Sequence, residues 1–248
     1  MDITFWQLVF TAVCAVLVGF SKTGIPTLGI FVAAVMATIF PARESVGLLT
    51  PMLITGDIIA ILYYRKAVVW KHLIVLLPWV LAGIVAGFFV LDIISNESLS
   101  ILIGALVLVL ILLHLGKERV EQSLKFSFAK SRTFNGTLGV LAGFTTMVGN
   151  AAGSIMSIYL LSKNMNKTLF VGTNAFFFFT VNVIKVPFTA SLGLITPQSL
   201  TLNAWMIPAV GAGAFIGLKV LPKIPQKHFQ TIILVMAALG GLKLILFP

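Results

Sequence analysis

Residues 19–29 read GFSKTGIPTLG and residues 143–153 read GFTTMVGNAAG. Each stretch sets glycines and hydroxyl side chains in the middle of long apolar sequence, and the first adds Lys22 and Pro26. A helix entering either stretch is expected to break, because glycine loses the most backbone freedom in a helix and proline lacks the amide proton. The half-helix that restarts beyond the break begins with N–H groups that have no intrahelical partner. Those donors, together with the positive end of the helix dipole, make a ready site for an anion.

The surroundings of these two tips are almost wholly apolar. Of 248 residues, 59% are hydrophobic and 10% charged, against roughly a quarter charged in an ordinary soluble domain. That excludes a soluble enzyme domain and a disordered chain. Apolar runs occupy about 3–20, 27–40, 46–64, 72–94, 98–115, 133–150, 151–162, 168–190, 202–221 and 228–247. They are too continuous for barrel strands, which alternate every second residue. Helices are the remaining way to satisfy the backbone in lipid, so the chain reads as an all-α polytopic membrane protein. The first run has no basic n-region and no small-residue cleavage site, and is read as a membrane segment rather than a cleaved signal. The single cysteine, Cys14, lies within it, which excludes an internal disulfide and suggests a packing residue.

The two tips also anchor an internal repeat. Gly19 and Gly29 correspond to Gly143 and Gly153, and later Pro78, Gly83 and Gly87 are matched at the same spacing by Pro208, Gly213 and Gly217. Two patterns in the same order indicate duplication, which many transporter folds carry. The expected organisation is a first transmembrane repeat over 1–115, a basic cytoplasmic linker over 116–132 and a second repeat over 133–248. Each repeat would hold about four helical segments. The four later glycines read most simply as places where helices approach closely.

The 17 Lys and Arg residues outnumber 7 Asp and Glu. They lie between apolar runs and not on one soluble face, so they read as loop bias rather than nucleic-acid affinity. If 3–40 and 133–162 are re-entrant hairpins, thirteen basic residues share one membrane face, three (Arg43, Lys185, Lys243) face the other and Lys22 sits at a tip. Plain crossings separate the charges less well. The positive-inside rule favours the hairpins, which makes the repeats inverted, with the two broken helices meeting near the bilayer midplane.

Asp57 stands within apolar sequence, where a charge costs roughly 2.5–3.5 kcal/mol on insertion scales. Proton coupling, contact with a cation such as Lys22, or a structural ion pair all account for it. Asn174, Asn182 and Lys185 punctuate the second half, Asn182 near the repeat equivalent of Asp57. Lys185 reads either as a substrate ligand or as an interfacial anchor, and Phe176–Phe179 as lipid-facing or packing surface. His72, His114 and His228 are scattered without paired ligand spacing, and no nucleophile elbow or phosphate loop is present. No metal, no cofactor and no enzymatic reaction are expected.

GFSKTGIPTLG, PARESVGLLTPMLITGD (41–57), GFTTMVGNAAG followed by SIMSIYL, and FVGTNAFFFFTVNVIKVPF (170–188) together resemble the TauE/SafE sulfite exporter family of membrane permeases. The resemblance runs over nearly the whole chain, in both halves. It implies a multi-pass permease of a bacterial inner membrane, moving sulfite, organosulfonates or related sulfur anions and coupled to the proton gradient. Matched to the family pattern are Gly19, Ser21, Lys22, Thr23, Gly24 and Pro26, then Asp57, then Thr145, Asn150, Ala151, Gly153, Gly172, Thr173, Asn182 and Lys185. Ser154 stands where relatives are expected to carry proline, and the lysine-bearing tip marks a subgroup, since many members carry glycine-rich tips.

The expected function is secondary-active transport of a small sulfur-containing oxyanion such as a sulfite-like dianion, with an anion channel or an intramembrane enzyme as rivals. The substrate ligands expected are Ser21, Lys22, Thr23, Gly24, Thr145, Thr146, Asn150, Ala151, Gly153, Thr173, Asn182 and Lys185, with Asp57 carrying the proton. The partners expected are the anion and the lipid bilayer, and not nucleic acid. Assembly as a homo-oligomer is left open.

Overall fold

The first helix starts on a local sequence signal. The computed structural model describes residues 4–24, 28–115, 132–161, 163, 165, 167–220, 235 and 238–247. Thr4 caps α1 (Phe5–Thr23) by accepting the Gln7 amide at 3.3 Å, while the Gln7 side chain accepts the Thr4 amide at 3.0 Å. This reciprocal box satisfies two otherwise unpaired donors at the helix start. The first half continues with α2 (Leu28–Ile39), α3 (Ala42–Tyr64), α4 (Trp70–Ile93) and α5 (Asn96–Leu115). The second half comprises α6 (Arg132–Gly149), α7 (Gly153–Leu161), α8 (Lys167–Ser191), α9 (Pro197–Val220) and a last helical run at 238–246.

The fold is all-α, with no strand among the described residues. Both expected breaks are present, between α1 and α2 and between α6 and α7. Pro26, most of the 116–132 linker and His228 lie outside the described residues, as do the side chains of His114 and Ser154.

Among the described residues, five helices are long and apolar enough to cross a bilayer: Phe5–Thr23, Ala42–Tyr64, Trp70–Ile93, Thr168–Ser191 and Pro197–Lys219. With 12 and 9 residues, α2 and α7 are too short for this. They reach only about 18 and 14 Å, against a hydrocarbon core of roughly 30 Å. The Gln7 amide group, having capped α1, donates through Nε2 to the carbonyl of Ile39 at 3.2 Å. Lys163 Nζ donates to Asn135 Oδ1 at 3.1 Å. The start of α1 thus lies beside the end of α2, and the start of α6 beside the residues that follow α7. Each pair is a helical hairpin whose two ends meet, although α1 alone has the length of a crossing.

The repeat glycines have a packing reason. A methyl group on Gly19 would run into the Val210 carbonyl and the Ala214 amide of α9. One on Gly143 would meet the Val80 carbonyl and the Ile84 amide of α4. In the same way Gly213 faces the Val16 carbonyl of α1, and Gly83 faces the Val140 carbonyl of α6. Exchanging Gly19 for Gly143 and Gly83 for Gly213 turns one set of contacts into the other. Backbones that touch this closely need small residues at the crossing. The most extensive contacts in the molecule are accordingly α1 on α9 and α4 on α6, with α3 on α8 next. Each hairpin is fastened to a helix of the opposite half.

Large apolar side chains cover the outside, including Phe5, Trp6, Leu62, Trp70, Phe89 and Trp205. The polar groups are instead gathered inside, where α1, α3, α6 and α8 converge.

Candidate functional site

Lys22 occupies the last turn of α1, is 8% exposed, and lies against α3. The contact depends on Gly56, where an added Cβ would sit 2.9 Å from the Lys22 Cγ. With no side chain there, the lysine stem runs past α3 and brings Nζ to 2.8 Å from Asp57 Oδ1. The ammonium also stands 4.5 Å from the centre of the Phe178 ring, a distance at which the ring face attracts a cation. Asp57 is fully buried, and its second oxygen accepts from Asn182 Nδ2 of α8 at 2.7 Å.

The second tip holds a different arrangement. Asn150 ends α6 with φ 53°, the left-handed conformation that asparagine tolerates better than most residues. Its Nδ2 donates to the Val46 carbonyl at 3.3 Å, and its Oδ1 accepts from Lys185 Nζ at 2.5 Å. Lys185 also donates to Thr146 Oγ1 at 3.3 Å and is fully buried. Burial excludes the interfacial-anchor reading of Lys185, and the 8% exposure of Lys22 excludes snorkelling to a membrane surface.

Ser21, Lys22, Gly29, Leu53, Thr146, Asn150, Gly153, Asn174, Phe178 and Asn182 line one small cavity of about 20 Å³. That is room for about one water molecule. Six of the expected ligands therefore meet there, and Lys185 stands behind Thr146 and Asn150. The others are placed elsewhere. Thr23 donates to the Ala214 carbonyl at 3.1 Å, tying the end of α1 to α9. Thr145 donates to the Leu141 carbonyl of its own helix at 2.8 Å, and Thr173 accepts the Val69 amide at 3.0 Å. Gly24 caps α1, and Ala151 is buried beyond Asn150 without lining the cavity.

Five contributors were not singled out as ligands from the sequence, among them Gly29, which reads there only as a repeat glycine. Phe178 belongs to a run that reads as lipid-facing or packing surface, and it lies beneath Lys22. Leu53 is an unremarkable apolar residue. Asn174 stood out only as a polar interruption. Gly56 carried the one usable signal, a glycine directly before an intramembrane carboxylate.

Among the described residues, Asp57 is the one buried carboxylate, and Lys22 and Lys185 are the two buried lysines. With all three ionised the cluster carries one net positive charge. An uncompensated charge is costly in a dry interior, so this arrangement calls for an anion.

A family model for the sulfite exporter TauE/SafE matches residues 11–244. The chain belongs to the TauE/SafE family. Membership makes it a multi-pass membrane transporter and not an enzyme. The TauE/SafE match covers both tips, the Lys22–Asp57 pair and Lys185. No curated protein and no solved structure matches the chain.

Proposed function

We propose that the protein is a secondary-active permease for small sulfur-containing oxyanions, such as sulfite or an organosulfonate, coupled to the proton gradient across a bacterial inner membrane. The observation that carries this reading is the pair of buried lysines set against a single carboxylate where the two broken helices meet.

In the closed state Asp57 occupies Lys22, so the carboxylate stands where an anionic substrate would compete. An arriving anion takes Lys22 and is bound further by Lys185, Thr146, Asn150 and Ser21. Asp57, left without its cation in a dry setting, takes a proton, since a buried unpaired carboxylate is costly. Anion and proton then cross together, and their release restores the ion pair. A cavity with room for about one water supports a carrier over a channel, which needs a continuous wet path. Inverted repeats related about the Asp57–Asn182 contact would supply the two access states. The thirteen basic residues at 65–71, 116–132, 163–167 and 219–228 mark the cytoplasmic face.

Sulfite flux into vesicles containing the purified protein tests this. An inward proton gradient is expected to accelerate uptake, and Lys22→Ala to abolish it while the variant still inserts. Flux no faster than in empty vesicles would overturn the reading, and unaltered flux in Lys22→Ala would remove the site.

A further inference from the structure

The cavity contains acceptors as well as cations. Asn182 donates through Nδ2 to Asp57 Oδ2 at 2.7 Å. An ionised carboxylate only accepts hydrogen bonds, so this contact fixes which end of the amide is which. The other end, Asn182 Oδ1, is buried, belongs to a residue that lines the cavity, and has no hydrogen-bond partner among the described residues. Asn174, 3% exposed and lining the same cavity, has an Oδ1 in the same condition. Buried polar atoms in native proteins are almost always paired.

A fully deprotonated oxyanion offers only acceptors. Placed between Lys22, Lys185 and Asn182, it would satisfy the ammonium groups and set lone pairs against the Asn182 carbonyl. An anion with one N–H or O–H group satisfies both. An ammonium-bearing zwitterion brings its cation towards both lysines and cancels the attraction.

Resting on the anion-transport reading above, we infer that this site selects a monoanion carrying one neutral hydrogen-bond donor, such as hydrogensulfite, sulfamate or a hydroxy-substituted sulfonate, which Asn182 Oδ1 accepts. Parting of Lys22 from Asp57 makes room for it, and Asp57 continues to hold the Asn182 amide in the accepting orientation.

Sulfamate and methanesulfonate are monoanions of nearly the same shape that differ in –NH₂ against –CH₃. Their competition with sulfite flux, in vesicles containing the full chain, reads the donor directly. Sulfamate is expected to compete at least about tenfold more tightly, the ratio that one unsatisfied buried acceptor corresponds to. Asn182→Leu is expected to erase that ratio.

Equal competition in the wild type overturns the inference while leaving anion transport standing. A preference that survives Asn182→Leu overturns it by placing the acceptor elsewhere. If none of the three anions is bound or moved, it is the transport reading that has failed. A second measurement needs no variant. As pH rises and hydrogensulfite gives way to sulfite, competition by total sulfite should weaken relative to sulfamate, whose ionisation is unchanged. A constant or rising ratio would count against the donor requirement.

Discussion

Asp57 and Asn182, the second of which falls near the repeat equivalent of the first in sequence, are hydrogen-bonded directly to each other at 2.7 Å. Gly47 and Gly172, ten residues before each, support the correspondence. The first faces the carbonyl of Leu194 just beyond α8, and the second the carbonyl of Ala67 just beyond α3. One of the two carries a charge and the other is its neutral isostere. Two carboxylates there would repel, whereas an acid and an amide make one bond.

Replacing Asp57 by asparagine should therefore preserve the shape of the contact and remove its charge. The expected outcome is anion flux that no longer responds to an imposed pH gradient, because the group that takes the proton is gone. Vesicle flux at matched and unmatched pH measures this. A response equal to wild type would make Asp57 structural.

Lys22 and Asp57 should also be coupled in stability. Removing one partner of a buried pair typically costs about 3–5 kcal/mol, while replacing both is far less damaging. Lys22→Met and Asp57→Asn are each expected to lower the melting temperature in detergent, and the double variant to recover much of the loss. Additive losses would mean the pair contributes nothing jointly.

Neighbouring glycines of α9 should respond in opposite ways. A methyl on Gly211 meets nothing within 4 Å, so Gly211→Ala is expected to be neutral or stabilising by up to about 1 kcal/mol. A methyl on Gly213 meets the Val16 backbone, so Gly213→Ala is expected to cost about 1–3 kcal/mol. Thermal melts of the two variants check this, and equal effects would contradict the α1–α9 contact.

Opposite ends of α4 should face opposite compartments. With Cys14 replaced by serine, single cysteines at the exposed positions Lys66 and Glu97 are expected to label from different sides of sealed vesicles. A third cysteine at Thr4 should label from the Glu97 side, because the start of α1 lies beside the end of α2. Labelling of Thr4 from the Lys66 side would make the first segment a crossing.

The helical breaks were legible because glycine, proline and lysine have no inexpensive place within a continuous apolar helix. The repeat was legible because backbone contact permits only the smallest residue, so Gly19, Gly83, Gly143 and Gly213 stand out by spacing alone. Lys22 and Asp57 were visible as charges in apolar sequence, but their pairing depends on how α1 crosses α3, which no local pattern records. The remaining ligands divide on the same ground. Thr23 and Thr173 look like Thr146 in sequence, yet the first two spend their hydroxyls on neighbouring backbone. Only the packing of α9 on α1, and of α3 on α8, decides which hydroxyl faces the cavity. Phe178 was obscured by the run of four phenylalanines that contains it.

The fastening of each hairpin to the opposite half has a consequence for biosynthesis. When the ribosome has made the first 115 residues, α1 and α4 already display their glycine faces, and their partners α9 and α6 do not yet exist. The first half therefore lacks, at that point, the helices that cover its glycine faces. Until Val210 and Val140 are made, Gly19 and Gly83 have no backbone to pack against.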